Sequence, residues 1–205
     1  MATDTRYLRL VGAPQGGSAG GEGVPPEASP EPPPGSEPTP DPAPVDLGSA
    51  FRAYGRDVGW IGMRILGRPE DVDDLVQDVF LDAVRGMDRL RDPASAKAWL
   101  ATLTVRKARR VLRKRKLRRF LGLDEGAEYG DIVDPTASST QRVEVADLYR
   151  MLDSLSTEER LAWTLRHLEQ EPLERVAELC GCSLATAKRR IAAAHATLGG
   201  ELGDV

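Results

Sequence analysis

The sequence predicts an all-α protein: two small helical domains joined by a flexible linker and preceded by a disordered tail. Three observations carry this. From Val45 onward apolar residues recur at three- and four-residue steps, the period of a helix with one buried face. No segment alternates apolar and polar residues convincingly as a half-buried strand would. Eleven of the 15 prolines lie before residue 45, in a stretch rich in Gly, Ser and Glu. Such a segment cannot bury enough apolar surface to offset its ordering entropy. The chain has 205 residues, so roughly 150 remain to fold, enough for two domains of about 60–80 residues.

The predicted boundaries are 1–44 for the tail, 45–120 for the first domain, 121–142 for the linker, 143–199 for the second domain and 200–205 for a short end. In the first helix Phe51, Tyr54, Val58, Ile61 and Ile65 mark the inner face, and Gly67 and Pro69 interrupt it. The second runs from about Pro69 to Met87, with Val72, Leu75, Val76, Val79, Phe80, Ala83 and Met87 inward. Asp92-Pro93 starts the third, a side-chain cap followed by a residue that needs no amide proton. Trp99, Leu100, Leu103, Val111 and Leu112 give that helix its apolar stripe. Residues 121–140 lack a period, and Asp134-Pro135 reads as a turn. Helical pattern resumes near Val143, with Leu148, Met151, Leu152 and Leu155 inward. Ser156-Thr157-Glu158-Glu159 reads as a capping box opening a helix with Leu161, Trp163, Leu165 and Leu168. Pro172 breaks it, two helices follow around Gly181, and Gly199-Gly200 ends the pattern.

Net charge is −4, but it is unevenly spread. Residues 1–48 hold seven acids and two bases, which leaves +1 for the rest, sorted into blocks. The second helix is acidic: Glu70, Asp71, Asp73, Asp74, Asp78 and Asp82, with no base between Pro69 and Val84. Asp74, Gln77, Asp78 and Leu81 fall opposite its core face. A polar stripe holding one exposed Leu suits a basic, helical partner, although acids in a first turn also suit a simply solvated helix. The third helix is basic, with ten Lys or Arg and no acid between Val105 and Arg119. Such self-repulsion needs counter-charge, and a phosphate backbone supplies it by releasing condensed counterions. Trp99, just before this run, reads as core rather than as a base-stacking ring.

Residues 174–191 fit a helix-turn-helix. Ala177 is small where two helices cross, Gly181 sits where the turn needs positive φ, and Ser183 caps the second helix. Ala187 and Ile191 face inward, while Ala185, Thr186, Lys188, Arg189 and Arg190 face outward, on a helix sized for the major groove.

Catalytic signals are missing. There is no glycine-rich phosphate loop, Gly-x-Ser-x-Gly or His-Glu-x-x-His, so no enzyme activity and no cofactor are expected. Cys180 and Cys182, with single distant His167 and His195, lack zinc-finger spacing, so no metal is expected. Two cysteines so close are poorly placed to bridge, which suits a reducing, cytoplasmic setting. No apolar run reaches 18 residues and no secretory signal is evident, so no membrane insertion is expected.

Glu70-Asp71-Val72-Asp73-Asp74-Leu75-Val76-Gln77-Asp78-Val79-Phe80-Leu81 resembles the second conserved region of sigma factors, Ala98-Trp99-Leu100 with the basic helix resembles the subregions that follow, and Val176 to Ala194 resembles the fourth region. Their order and the variable linker are similar to the extracytoplasmic-function (ECF) group of the sigma-70 family, over about residues 48–199. The resemblance implies a non-enzyme that directs core RNA polymerase to promoters and aids strand opening. It implies that Asp73, Asp74, Gln77, Asp78 and Leu81 meet the clamp helices of the largest polymerase subunit, and that the flap of the second subunit is a further contact. It implies −10 DNA contacts from Arg91, Ser95, Lys97, Trp99, Arg106, Arg109, Arg110 and Arg113, and −35 contacts from Ser183, Ala185, Thr186, Lys188, Arg189 and Arg190. A free monomer is expected, and many relatives are held by an anti-sigma protein. Two positions depart from the pattern: Arg106 stands where the family often has Asn, and His195 where it often has Arg. The acidic tail is no part of the pattern, and its sign suggests self-inhibition by competition for the basic helix. Two other readings stand beside this one: a helix-turn-helix regulator that binds DNA as a dimer without the polymerase, and a polymerase-binding decoy without promoter recognition.

Overall fold

The structure is a computed structural model, and it describes residues 47–87, 95–123, 129 and 138–202. The expectations for the tail, for Arg91, for the Asp92-Pro93 helix start and for the Asp134-Pro135 turn lie outside these residues. Seven helices and no strand occur among the described residues. Helices α1 (Leu47–Leu66), α2 (Pro69–Met87) and α3 (Ala96–Phe120) form the first half. Helices α4 (Ser139–Ser154), α5 (Thr157–His167), α6 (Leu173–Cys180) and α7 (Leu184–Leu202) form the second.

Local chemistry sets most boundaries. Helix α2 begins with Pro at its first position, as a residue without an amide proton should. The Ser156 capping box forms: the Glu159 amide donates to Ser156 Oγ at 3.2 Å, and the Ser156 amide donates to Glu159 Oε2 at 2.9 Å. Gly181 ends α6 in the left-handed region at φ 61°. Three expectations are corrected. Helix α4 starts at Ser139 rather than near Val143, because Ser138 and Gln141 form a second capping box. Helix α7 continues through Gly199-Gly200 to Leu202, held by Ala194 and Leu198 in a buried cluster that outweighs the poor helix propensity of glycine. Phe51 is half-exposed rather than inward, and its ring meets Phe80 edge to face, at 4.9 Å between centroids.

The apolar interior does not stop at the linker. One cluster joins Val58, Ile65, Leu75, Val79, Leu100, Val105 and Leu112 of the first half to Leu161, Leu165, Val176, Leu179 and Ile191 of the second. A smaller cluster lies within the second half around Tyr149, Leu152, Trp163 and Leu198. The seam between halves is also polar and ordered. The last carbonyls of α1 have no intrahelical donor of their own. Tyr149 Oη donates to the Arg64 carbonyl at 3.1 Å, Arg160 donates to those of Ile65 and Leu66 at 3.0 and 3.1 Å, and Arg115 donates to that of Leu66 at 2.8 Å. Gly67 closes α1 at φ 69°, and a Cβ there would strike the Tyr149 ring. Burial raises the Tyr149 phenol well above its usual range, so it stays a donor.

Candidate nucleic-acid and polymerase interfaces

The acidic helix keeps the face expected of it. Val72, Leu75, Val79, Phe80 and Ala83 are buried, which turns Asp73, Asp74, Gln77, Asp78 and Leu81 outward, all exposed. Leu81 and Val84 form an apolar spot beside them, 59% and 46% exposed. Lys107 reaches across from α3 to Asp82 at 2.7 Å and Asp78 at 3.9 Å. Its hydrogen bond holds the Asp82 carboxyl below the ordinary carboxylate range. Asp82 therefore stays ionised and anchors the acidic helix to the basic one.

The basic helix is less open than its charge count suggests. Arg106 and Arg110, one turn apart, are exposed and have no ion pair among the described residues. Lys107 turns to Asp82 instead. Arg113 is exposed yet meets Glu158 of α5 at 2.8 Å, and Arg109 meets the same carboxylate at 3.5 Å. Arg109 Nη2 also donates to the Cys180 carbonyl at 2.6 Å. Arg115 is buried against Asp71, and burial pulls its guanidinium below its usual pKa despite that partner. Arg119 pairs with Asp153 at 2.8 Å, and Lys116 donates to the Leu155 carbonyl at 3.1 Å. Much of the counter-charge that this run needs comes from the protein's own acids and carbonyls.

At the start of α3, Ser95 is the cap residue but its side chain makes no capping bond. Lys97 is exposed and pairs with Asp57 at 2.8 Å, a hydrogen bond that raises its pKa. Trp99 is half-buried, packed on the core with its ring over Gly86. Of these residues, Lys97 lines a cavity of about 460 Å³, together with Asp57, Tyr54, Trp60, Glu169 and Arg175.

The helix-turn-helix is built as the spacing predicts. Val176, Ala177, Leu179, Cys180, Ala187 and Ile191 are buried between α6 and α7. The Cys182 amide donates to the Ala177 carbonyl at 2.9 Å across the Gly181 turn. Ser183 Oγ accepts from the Thr186 amide at 3.2 Å and lies 2.9 Å from Thr186 Oγ1. Ala185, Lys188 and Arg189 are exposed and Thr186 is half-exposed, while Arg190 lies 3.3 Å from Glu158. Cys180 and Cys182 are free thiols, and burial pushes the Cys180 thiol up to about 11, which makes it a poor nucleophile. No group of three or more metal-ligating side chains occurs among the described residues, and no helix there is long and apolar enough to cross a membrane.

The two halves match separate family models: Sigma-70 region 2 over residues 50–118 and Sigma-70 region 4 over residues 146–198. The ECF RNA polymerase sigma factor EcfG of Rhodopseudomonas palustris is 30% identical over 132 residues, spanning 64% of this chain and 71% of that protein. This chain is an ECF sigma factor of the sigma-70 family. The RNA polymerase sigma factor CnrH of Cupriavidus metallidurans is 30% identical over 162 residues, covering 72% of this chain and 85% of the relative. A solved structure of the sigma factor RpoE of Bartonella quintana, in complex with the anti-sigma factor NepR, shares the fold with a TM-score of 0.58 at 23% identity, across 78% of this chain and 98% of that one. The sigma factor thus directs core polymerase to specific promoters and aids strand opening in transcription initiation, and the regulator that binds DNA without the polymerase is set aside.

Sequence reasoning missed the residues that join the halves: Glu158, Asp153, Arg160 and Tyr149. Glu159 is legible as the capping acid three residues after Ser156, but nothing in the one-dimensional pattern shows that Glu158 beside it meets arginines of α3 and α7.

Proposed function

We propose a division of labour within this sigma factor. Helix α2 offers Asp73, Asp74, Gln77, Asp78 and Leu81 to the clamp helices of the largest polymerase subunit, and the second half meets the flap of the second subunit. Arg106, Arg109, Arg110 and Arg113 hold the −10 strand and upstream duplex, with Arg91, Ser95, Lys97 and Trp99 near the point of opening. Ser183, Ala185, Thr186, Lys188, Arg189 and Arg190 face the −35 element. Base capture offsets the few kcal/mol that unstacking costs, so opening is driven by binding and needs no catalytic group. The free protein is a cytoplasmic monomer, not an enzyme, and an anti-sigma protein is a further partner.

The observation that carries this is the segregation of exposed charge: a negative strip with one apolar residue on α2, and free bases on α3 and α7. Run-off transcription with purified core polymerase tests it. A start site that depends on this chain is expected, and D74K with D78K should abolish it while leaving free promoter binding intact. If both variants transcribe like the wild type, the α2 assignment is wrong.

A further inference from the structure

We infer that Glu158 latches the two DNA-facing helices to each other in the free chain, so that domain docking and promoter engagement exclude one another; this rests on the assignment of α3 and α7 to the −10 and −35 elements. Glu158 is the second residue of α5, and its neighbour Glu159 makes the capping bond. The Glu158 carboxylate is therefore left for other partners, and three arginines take it. Oε1 holds Arg113 at 2.8 Å and Arg109 at 3.5 Å, and Oε2 holds Arg190 at 3.3 Å. Two of these arginines belong to α3 and one to α7.

Geometry makes this arrangement incompatible with a bound promoter. Elements centred near −10 and −35 lie about 25 base pairs apart, roughly 85 Å of duplex at 3.4 Å per base pair. Arginines that share one carboxylate cannot serve both elements at once. The carboxylate stands where a phosphate would: guanidinium groups bind both anions by the same forked donation. Arg109 adds a second tie, its bond to the Cys180 carbonyl at the C-terminal end of α6, where the helix dipole favours a cation. That fixes α3 against the turn of the helix-turn-helix itself.

The latch is built to be reversible. Glu158 is about a quarter exposed and Arg113 largely exposed, so salt screens their pairing. Three cations around one carboxylate leave an excess of positive charge, which draws a polyanion in. Arg106, Arg110, Lys188 and Arg189 remain exposed and give a phosphate backbone its first hold. Exchange of the carboxylate for phosphate then removes the ionic tie between the two helices, which leaves the shared apolar interior and the carbonyl seam as the contacts still to part.

The test uses the full chain with dyes placed through unnatural amino acids at positions 85 and 196, both exposed, one in each half. Glu158→Gln is compared with Asp147→Asn, which removes the same charge from an exposed local pair on α4. Without DNA, E158Q should lower energy transfer between the dyes, and D147N should not. The free E158Q chain should bind a promoter duplex at least fivefold more tightly than D147N at 0.05 M salt, a gain that shrinks toward 0.5 M as screening opens the wild type. Glu158→Asp should fall between. Unchanged energy transfer, or an affinity gain no larger than that of D147N, overturns the latch. With core polymerase, wild type and E158Q should start at the same nucleotide; a wild-type chain that supports no specific start counts against the promoter assignment instead, and leaves the energy-transfer result to decide the latch.

Discussion

Helix α3 carries ten bases between Arg106 and Arg119, and helix α7 carries three. In α3, Lys107, Arg109, Arg113, Arg115 and Arg119 all pair with acids of the same chain. In α7 Arg190 alone does so among the described residues, while Lys188 and Arg189 remain exposed. The helix with the larger charge thus has much of it committed to the fold. A basic run long enough to read as a nucleic-acid footprint can be part footprint and part structural fastening, and the placement of the chain's own acids separates the two.

The sharpest way to break this comparison is at Arg115. Its guanidinium holds Asp71 and the Leu66 carbonyl in a nearly dry site. Arg115→Met should cost about 3 kcal/mol by urea unfolding, because it strands a partly buried carboxylate and a carbonyl. Arg106→Ala, on the exposed side of the same helix, should leave the midpoint nearly unchanged. Equal losses at the two positions would erase the distinction.

Glycines of the two halves give the next contrast. Gly67→Ala should cost about 2 kcal/mol or more, since the new Cβ meets both a positive φ and the Tyr149 ring. Gly181 has positive φ but open space around it, so Gly181→Ala should cost about 1 kcal/mol, from backbone strain alone. Thermal melts of the two variants check the order.

Salt titrations sharpen the DNA side. Arg106→Ala and Arg189→Ala should each reduce the slope of log affinity against log salt by about 0.9, one phosphate contact apiece. Fluorescence anisotropy with a promoter duplex reads this, and an unchanged slope for either removes that residue from the interface.

The smallest expected effect is a pH dependence confined to the second half. His167 Nε2 lies 2.9 Å from His195 Nε2, and burial, then the His195 and Arg166 charges, pull the His167 pKa down to about 4. Its folded value lies below the unfolded one, so the unfolded chain takes up the proton first. The stabilisation is full above the ordinary histidine range and is lost as pH falls toward about 4. His167→Phe, which keeps a ring against Trp163, should flatten the decline in urea midpoint over that window.

Much of the fold was legible because its signals are local. Pro69, the Ser156 box, Pro172 and Gly181 each act within one turn of chain, and the structure places helix boundaries at or beside them. Ser138 and Gln141 carry the same signal, but in a Ser- and Thr-rich stretch without apolar period it did not stand out. The run past Gly199 could not be read, because what holds it is the packing of Ala194 and Leu198 against distant residues. The candidate interfaces divided in the same way. Exposure of Asp74, Gln77 and Leu81 follows from the buried stripe of their own helix. The fate of Arg109, Arg113 and Arg115 depends on Glu158 and Asp71, 45 to 49 and 44 residues away respectively. Period and charge count carry no information about such partners.

The shared interior of the two halves has a thermal consequence. Undocking exposes Leu161, Leu165, Val176 and the side chains facing them, and newly wetted apolar surface raises heat capacity. The docking free energy must therefore curve with temperature, and its apolar part fades in the cold. A cooled cell would hold more of this protein undocked at unchanged ionic strength, with no second molecule taking part.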